Sequence, residues 1–161
     1  MKRIVAIISG IILLGSIASA QDGRSIYNKY SDDNDVSAVY ISPAMFRLIG
    51  KLPDMNIGEE EDINLTTIVK SLTGLYVISS ENKSINDNIQ RDAEKFVSTG
   101  KYELLMEAKD HGEIVHMYIT GKDDNISSFV LIAKEPEECT FICLDGQISR
   151  KQLEKLIAES K

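Results

Sequence analysis

Short runs of alternating apolar and polar residues, rich in β-branched and aromatic side chains, predict six β-strands along this chain. The predicted strands cover residues 36–41, 75–79, 103–109, 114–120, 128–133 and 140–144. Short polar turns follow the third and the fourth strand, so strands three, four and five are expected to form an antiparallel meander. The sixth strand is expected to extend that meander.

Helix-start signals occur at three serines, Ser42, Ser84 and Ser149. Ser42 can cap a helix whose first residue is Pro43, a position that proline favours. Ser84 is expected to open the longest helix, which would stop at a left-handed Gly100. Its apolar residues recur at helical spacing and are Ile85, Ile89, Ala93, Phe96 and Val97. This stripe predicts a helix with one buried face.

The order of these elements predicts an α+β domain, a mostly antiparallel sheet with helices packed on one face. After Ser149, the apolar residues Leu153, Leu156 and Ile157 predict a final helix that packs back onto the domain. The length suits one hydrophobic core, so we expect residues 21–161 to fold as a single domain.

The N-terminus has the pattern of a cleavable secretory signal peptide over residues 1–20. Lys2 and Arg3 precede an apolar run, and the small residues Ala18-Ser19-Ala20 follow it. The run is shorter than the roughly 20 apolar residues that a membrane-spanning helix needs, which favours cleavage over an uncleaved anchor. We therefore expect an exported protein, periplasmic or secreted, with no membrane span after cleavage.

The charge of the chain bears on its partners. The full sequence carries 25 acidic and 18 basic residues, a net charge of -7. Cleavage would remove two of the basic residues, Lys2 and Arg3, and leave the domain more acidic still. Nucleic acids and anionic lipids select basic surfaces, so neither is expected as a partner.

The predicted third and fourth strands suggest a partner surface. In the third strand Leu104, Met106 and Ala108 are expected to share one face, which leaves Leu105 on the other. In the fourth strand the face opposite the apolar one is less polar than a solvated face should be. The predicted partner surface consists of Leu105, Ile114, His116 and Tyr118. The alternative is that a loop or a terminal segment covers this face.

The only cysteines, Cys139 and Cys143, lie four residues apart in the predicted sixth strand. That separation spans about 13 Å at roughly 3.3 Å per residue, whereas a disulfide needs Cα atoms within about 7 Å. We expect both to be buried and unpaired, because a two-cysteine metal or redox site favours the closer C-x-x-C spacing.

Residue types that could support chemistry are present, but their spacing is unfavourable. His111 and His116 fall in a predicted loop and a predicted strand, and catalytic zinc needs three converging ligands. The acidic runs 32–35 and 59–62 do not match a calcium-binding loop. Nucleophile elbows and phosphate-binding glycine loops are also missing from the sequence. The sequence therefore predicts no catalytic, cofactor or metal site.

Several stretches of the chain carry a family resemblance. Residues 27–30 read Tyr-Asn-Lys-Tyr, and residues 36–47 read Val-Ser-Ala-Val-Tyr-Ile-Ser-Pro-Ala-Met-Phe-Arg. Further matches lie at residues 75–81, 102–106 and 126–131. These segments resemble a small exported family of Bacteroidetes, the domain of unknown function DUF4252. The resemblance implies a compact secreted α+β domain and, because the function of the family is unknown, carries over no catalytic residues. Cys139 and Cys143 look like departures from the family pattern.

These features favour a noncatalytic interaction or ligand-binding domain of the bacterial cell envelope, with an envelope protein as its partner. An exported hydrolase whose carboxylates converge in an unrecognised cleft is one alternative. An envelope signalling component that contacts a membrane-bound regulator is another.

Overall fold

The computed structural model describes residues 22–51 and 65–151. Its helices are α1 (Gly23–Tyr30), α2 (Pro43–Ile49), α3 (Leu65–Ser71) and α4 (Lys83–Thr99). Its strands are β1 (Val36–Ile41), β2 (Leu72–Ser80), β3 (Glu103–Asp110), β4 (Glu113–Lys122), β5 (Asn125–Lys134) and β6 (Cys139–Ser149). Helical backbone begins again at Arg150. The predicted signal peptide, the acidic run 59–62 and the apolar stripe from Leu153 lie outside the described residues.

All six strands belong to one antiparallel sheet in the order β1-β2-β6-β5-β4-β3. The prediction of an α+β domain is confirmed, and so is the meander of β3, β4 and β5. The last strand, β6, extends that meander and also pairs with β2. It therefore occupies an interior position and joins the meander to the β1–β2 pair.

The main core lies between the sheet and the helices α1 and α4. Ile78, Val130 and Phe141 from three strands are completely buried there, and Phe96 of α4 stacks edge-on against Phe141 with ring centroids 6.1 Å apart. The stripe predicted for α4 is buried as expected, with Ile85 partly so. Burial of such side chains is the dominant favourable contribution to folding.

Cross-strand pairs continue this core across the sheet. On the face that bears α1 and α4, one row runs through directly paired residues of all six strands. This row is Tyr40, Tyr76, Cys143, Val130, Tyr118 and Leu104. A row on the opposite face is also apolar. Its members are Val39, Val77, Ile142, Leu131, Met117 and Met106. Both faces of the sheet are therefore apolar.

A second, smaller cluster lies on the face opposite α1 and α4. Ile119, Ile126 and Ile148 are buried in it. Partly buried Leu72, Phe129 and Leu144 surround them. The cluster sits where β4, β5 and β6 end in bulges or irregular pairing. It gives that end of the sheet a core of its own.

The helix ends explain two local differences from the sequence prediction. The longest helix begins at Lys83, two residues earlier than a helix capped by Ser84 would. Its N-cap is Asn82, which accepts a hydrogen bond from the Ser84 N–H at 3.1 Å. Gly100 ends the helix as expected but with φ −85°, and the left-handed residue is Lys101 with φ 57°. Ser42 caps α2 as predicted.

Helices α1 and α3 were not predicted from the sequence. Each is only two turns long, too short for a periodic pattern to stand out. Asp22 caps α1 by accepting a hydrogen bond from the Ser25 N–H at 2.8 Å, and Ile26 and Tyr30 bury its inner side. Across the ranges that the structure describes, no helix is long and apolar enough to cross a membrane.

Candidate functional site

Strands β3 and β4, which we call the wing, extend beyond the helical layer. Helix α4 packs chiefly against β6, β5 and β2, and all eight residues of β3 are exposed. Three consecutive apolar side chains there remain in solvent, Leu104 at 54%, Leu105 at 51% and Met106 at 40%. Consecutive exposed apolar residues on an edge strand are unusual in soluble proteins and often indicate an interaction site.

The structure aligns three of the four residues predicted as a partner surface. Ile114, His116 and Tyr118 are directly paired with the β5 residues on the side that faces α4, and each is half-buried. Tyr118 packs against the edge of the main core, where burial raises its pKa. These residues therefore lie beside α4, on the helix-bearing face and not on an open face.

The fourth residue, Leu105, is displaced from this line by a β-bulge. Leu104 pairs with Tyr118, and Met106 pairs with Met117, so Leu104 and Met106 point to opposite faces. The prediction that Leu104 and Met106 share a face is wrong, because the extra residue at Leu105 reverses the alternation. A bulge leaves no periodic trace in sequence and could not have been read from it.

A charged group completes the helix-facing side of the wing. Glu107 lies opposite His116, with 2.7 Å between its Oε2 atom and His116 Nε2, and Lys109 Nζ donates to its other oxygen at 2.9 Å. The hydrogen bonds from Lys109 and His116 hold the pKa of Glu107 below its usual value. Sequence reasoning placed Glu107 on this side but did not pair it with His116.

A tight turn joins the two strands of the wing. His111 and Gly112 both have positive φ angles, 43° and 93°, and they separate the paired residues Asp110 and Glu113. Two left-handed residues in a two-residue loop form a type I′ turn, whose twist matches that of antiparallel strands. His111 is thus a turn residue, exposed and remote from a second histidine ligand.

A polar depression of about 570 Å³ lies near the opposite edge of the sheet from β3, between β1, β2 and the start of α4. Its carboxylates serve structural hydrogen bonds. Asp35 accepts from Asn82 Nδ2 at 2.8 Å, and Glu138 accepts from the hydroxyls of Ser79 and Thr140. Within residues 22–51 and 65–151, no group of three histidine, cysteine or carboxylate side chains is placed to hold a metal ion.

Both cysteines are buried and free, as predicted. Burial raises the pKa of the Cys139 thiol to about 11 and that of Cys143 further. The thiol of Cys143 donates to Asp145 Oδ1 at 3.4 Å and lies 3.5 Å from Ser128 Oγ. Neutral buried thiols are weak nucleophiles, and these two act as core residues.

Comparison with known families adds one finding. The family model described as a domain of unknown function, DUF4252, matches residues 30–156. The matched region includes every strand of the sheet and the whole wing. No curated protein and no solved structure shows significant similarity to the chain.

Proposed function

The chain belongs to the DUF4252 family, and we propose that it is a noncatalytic interaction domain of the bacterial cell envelope. The single observation that carries this proposal is the exposed apolar β3 strand of the wing. Solvent-exposed apolar residues in sequence reduce solubility, so a strand of this kind is best explained by a partner that covers it.

Export is supported by the way the fold begins. Asp22 caps α1, and Gly23 and Ile26 are already buried. Cleavage after Ala20 would leave these residues in the mature chain, so the proposed cleavage site spares the contacts of α1. N-terminal sequencing of the protein from fractionated bacteria tests this directly. The expected first residue is Gln21, and recovery of the chain with residues 1–20 attached would contradict export by cleavage.

The interaction is tested by photo-crosslinking in living cells. A photoreactive residue at Leu105 should capture a defined envelope protein. The matched control is Leu48 on α2, which is as exposed at 62% but lies outside the wing. The proposal expects a crosslinked product from position 105 that position 48 does not give. Identical products from both positions, or none from position 105, would contradict it.

A second variant separates binding from folding. Leu105→Lys places a charge in the apolar strand, and Leu105 is exposed, so the folded state should keep its stability within about 0.5 kcal/mol. Leu105→Lys is preferable to a change at Tyr118, whose ring packs against the core. With the photoreactive residue placed at Leu104, which is exposed at 54%, the captured product should fall strongly in Leu105→Lys and remain in Leu48→Lys.

A further inference from the structure

We propose that β3 binds its partner by strand addition, and that the partner segment is an extended, basic peptide with apolar residues at alternate positions. This inference rests on the proposed function and specifies the chemistry of the same surface. It follows from three features of the wing: the free edge of β3, the part of β3 that pairs regularly with β4, and the charge of that part.

The free edge is the first feature. β3 is the terminal strand of the sheet and pairs only with β4 among the described residues. The tight turn makes Asp110 and Glu113 a hydrogen-bonded pair, and such pairs alternate along antiparallel strands. The backbone N–H and C=O groups of Glu107 and Lys109 therefore point away from β4, toward the open edge. An extended peptide can bond to them as a seventh strand.

The bulge limits where a strand can be added. Pairing of β3 with β4 is interrupted between Leu104 and Met106 and is regular from Met106 to Asp110. A bulge twists an edge and interrupts pairing, which protects that part of the edge from addition. The available segment is therefore Met106–Asp110, next to the turn.

The side chains of that segment define the partner. Met106 and Ala108 point to the face opposite α4, whereas Glu107 and Lys109 point to the α4 side. Apolar residues in an added strand would pair with Met106 and Ala108, and basic residues would face Glu107. Asp110 and Glu113 add further negative charge at the turn, so the carboxylates of Glu107, Asp110 and Glu113 outnumber the single ammonium of Lys109.

The same charges disfavour a second copy of this chain as the occupant. The chain has a net charge of -7, so two copies that approach each other repel overall. A basic segment is instead attracted by the acidic edge.

The test uses the mature domain and a synthetic peptide of sequence Lys-Val-Lys-Val-Lys-Val-Lys, with Glu-Val-Glu-Val-Glu-Val-Glu as control. Backbone amide signals are followed by NMR during titration. The basic peptide should bind saturably, shift the amides of Met106–Asp110 and slow their exchange with solvent. The affinity of the acidic peptide should be lower by at least about tenfold.

A pair of variants tests the backbone contribution. Lys109→Pro removes the outward N–H, whereas Lys109→Ala removes the same charge and keeps the N–H. Binding of the basic peptide should weaken about tenfold in Lys109→Pro and stay near the wild-type value in Lys109→Ala. Equal binding by both variants, or equal binding of both peptides, would overturn strand addition.

Three further outcomes are informative. Concentration-dependent dimerisation of the free domain that Lys109→Pro abolishes would show that a second copy occupies the edge, and would overturn the proposal. A partner captured from Leu105 in cells, combined with no binding of the basic peptide, would overturn strand addition while leaving the interaction role intact. Peptide binding without a cellular partner would contradict the proposed function alone.

Discussion

The sheet has two regions that differ in what covers them. Under α4, the row through Ile78, Phe141 and Ile132 is buried and apolar. The same row continues into the wing as the hydrogen-bonded pair His116 and Glu107, of which Glu107 is exposed. One sheet thus changes from core to surface within two strands, because the helices reach only part of it. The comparison shows that α4 sets the limit of the core.

The largest expected difference between the regions concerns stability. Phe141→Ala should destabilise the domain by about 3–5 kcal/mol, because it removes a completely buried ring from the centre of the core. Leu105→Ala should change stability by no more than about 0.5 kcal/mol. Urea unfolding followed by circular dichroism measures both. Losses of similar size would mean that the wing belongs to the core.

The approach of α1 to the sheet gives the next largest effect. A Cβ atom on Gly23 would lie 2.3 Å from Cys143 Sγ and 2.7 Å from Cys143 Cβ. Gly23→Ala should therefore push α1 from the sheet and cost about 1–3 kcal/mol. The double variant with Cys143→Ala should recover part of that loss, because the smaller side chain makes room. Strict additivity of the two changes in unfolding free energy would refute this contact.

A half-buried polar contact joins α1 to α4 on the covered side. Asp92 accepts from the Tyr30 hydroxyl at 2.6 Å and from Lys29 Nζ. Burial opposes ionisation of Asp92, but these hydrogen bonds outweigh it and lower its pKa. A lowered pKa contributes stability that is complete above the ordinary carboxyl pKa of about 4 and lost as the pH falls below it.

Asp92→Asn should therefore cost about 1–2 kcal/mol at pH 7 and less at acidic pH. Urea unfolding of wild type and variant at a series of pH values measures the gap between their free energies of unfolding. Asp110→Asn, in the exposed turn of the wing, is the matched control and should change stability little. A gap for Asp92→Asn that stays constant down to pH 3 would contradict the role of its ionised form.

The turn of the wing comes last, because its conservative change, His111→Asn, has the smallest expected effect. His111→Asn should stabilise the domain by up to about 0.5 kcal/mol, because Asn adopts the left-handed conformation of this position more readily. His111→Val should destabilise it by about 1–2 kcal/mol, since a β-branched residue is strained there. Thermal unfolding ranks the three proteins, and the reverse order would exclude a type I′ turn.

Much of the fold could be predicted from local patterns. The limits of β1 were predicted at both ends, and all six strands were located, because each alternates within a short run. Helix α4 was predicted from its apolar stripe. The spacing of the two cysteines predicted that they are unpaired. The predicted strands were short at their ends, most of all β6, where Gly146 and Gln147 interrupt the alternation.

The rest depended on tertiary structure. The sequence around Ile114, His116 and Tyr118 does not indicate that these side chains lie on the same face of the sheet as α4. Their location depends on which strands the helix crosses. The bulge at Leu105 arises from pairing with β4. The exposure of β3 follows from its place at the end of the strand order, and local sequence does not encode that order.

The interior position of β6 has a kinetic consequence. A chain is made from its N-terminus, so β2 and β5 are complete before the strand that lies between them exists. Their inner edges remain unpaired until β6 is available, and the pairing of Ser79 with Thr140 closes a separation of 61 residues. Topologies rich in such distant pairings fold slowly. The complete six-stranded sheet can therefore form only after nearly the whole chain has been released, because β6 is the last strand made and it joins the two halves.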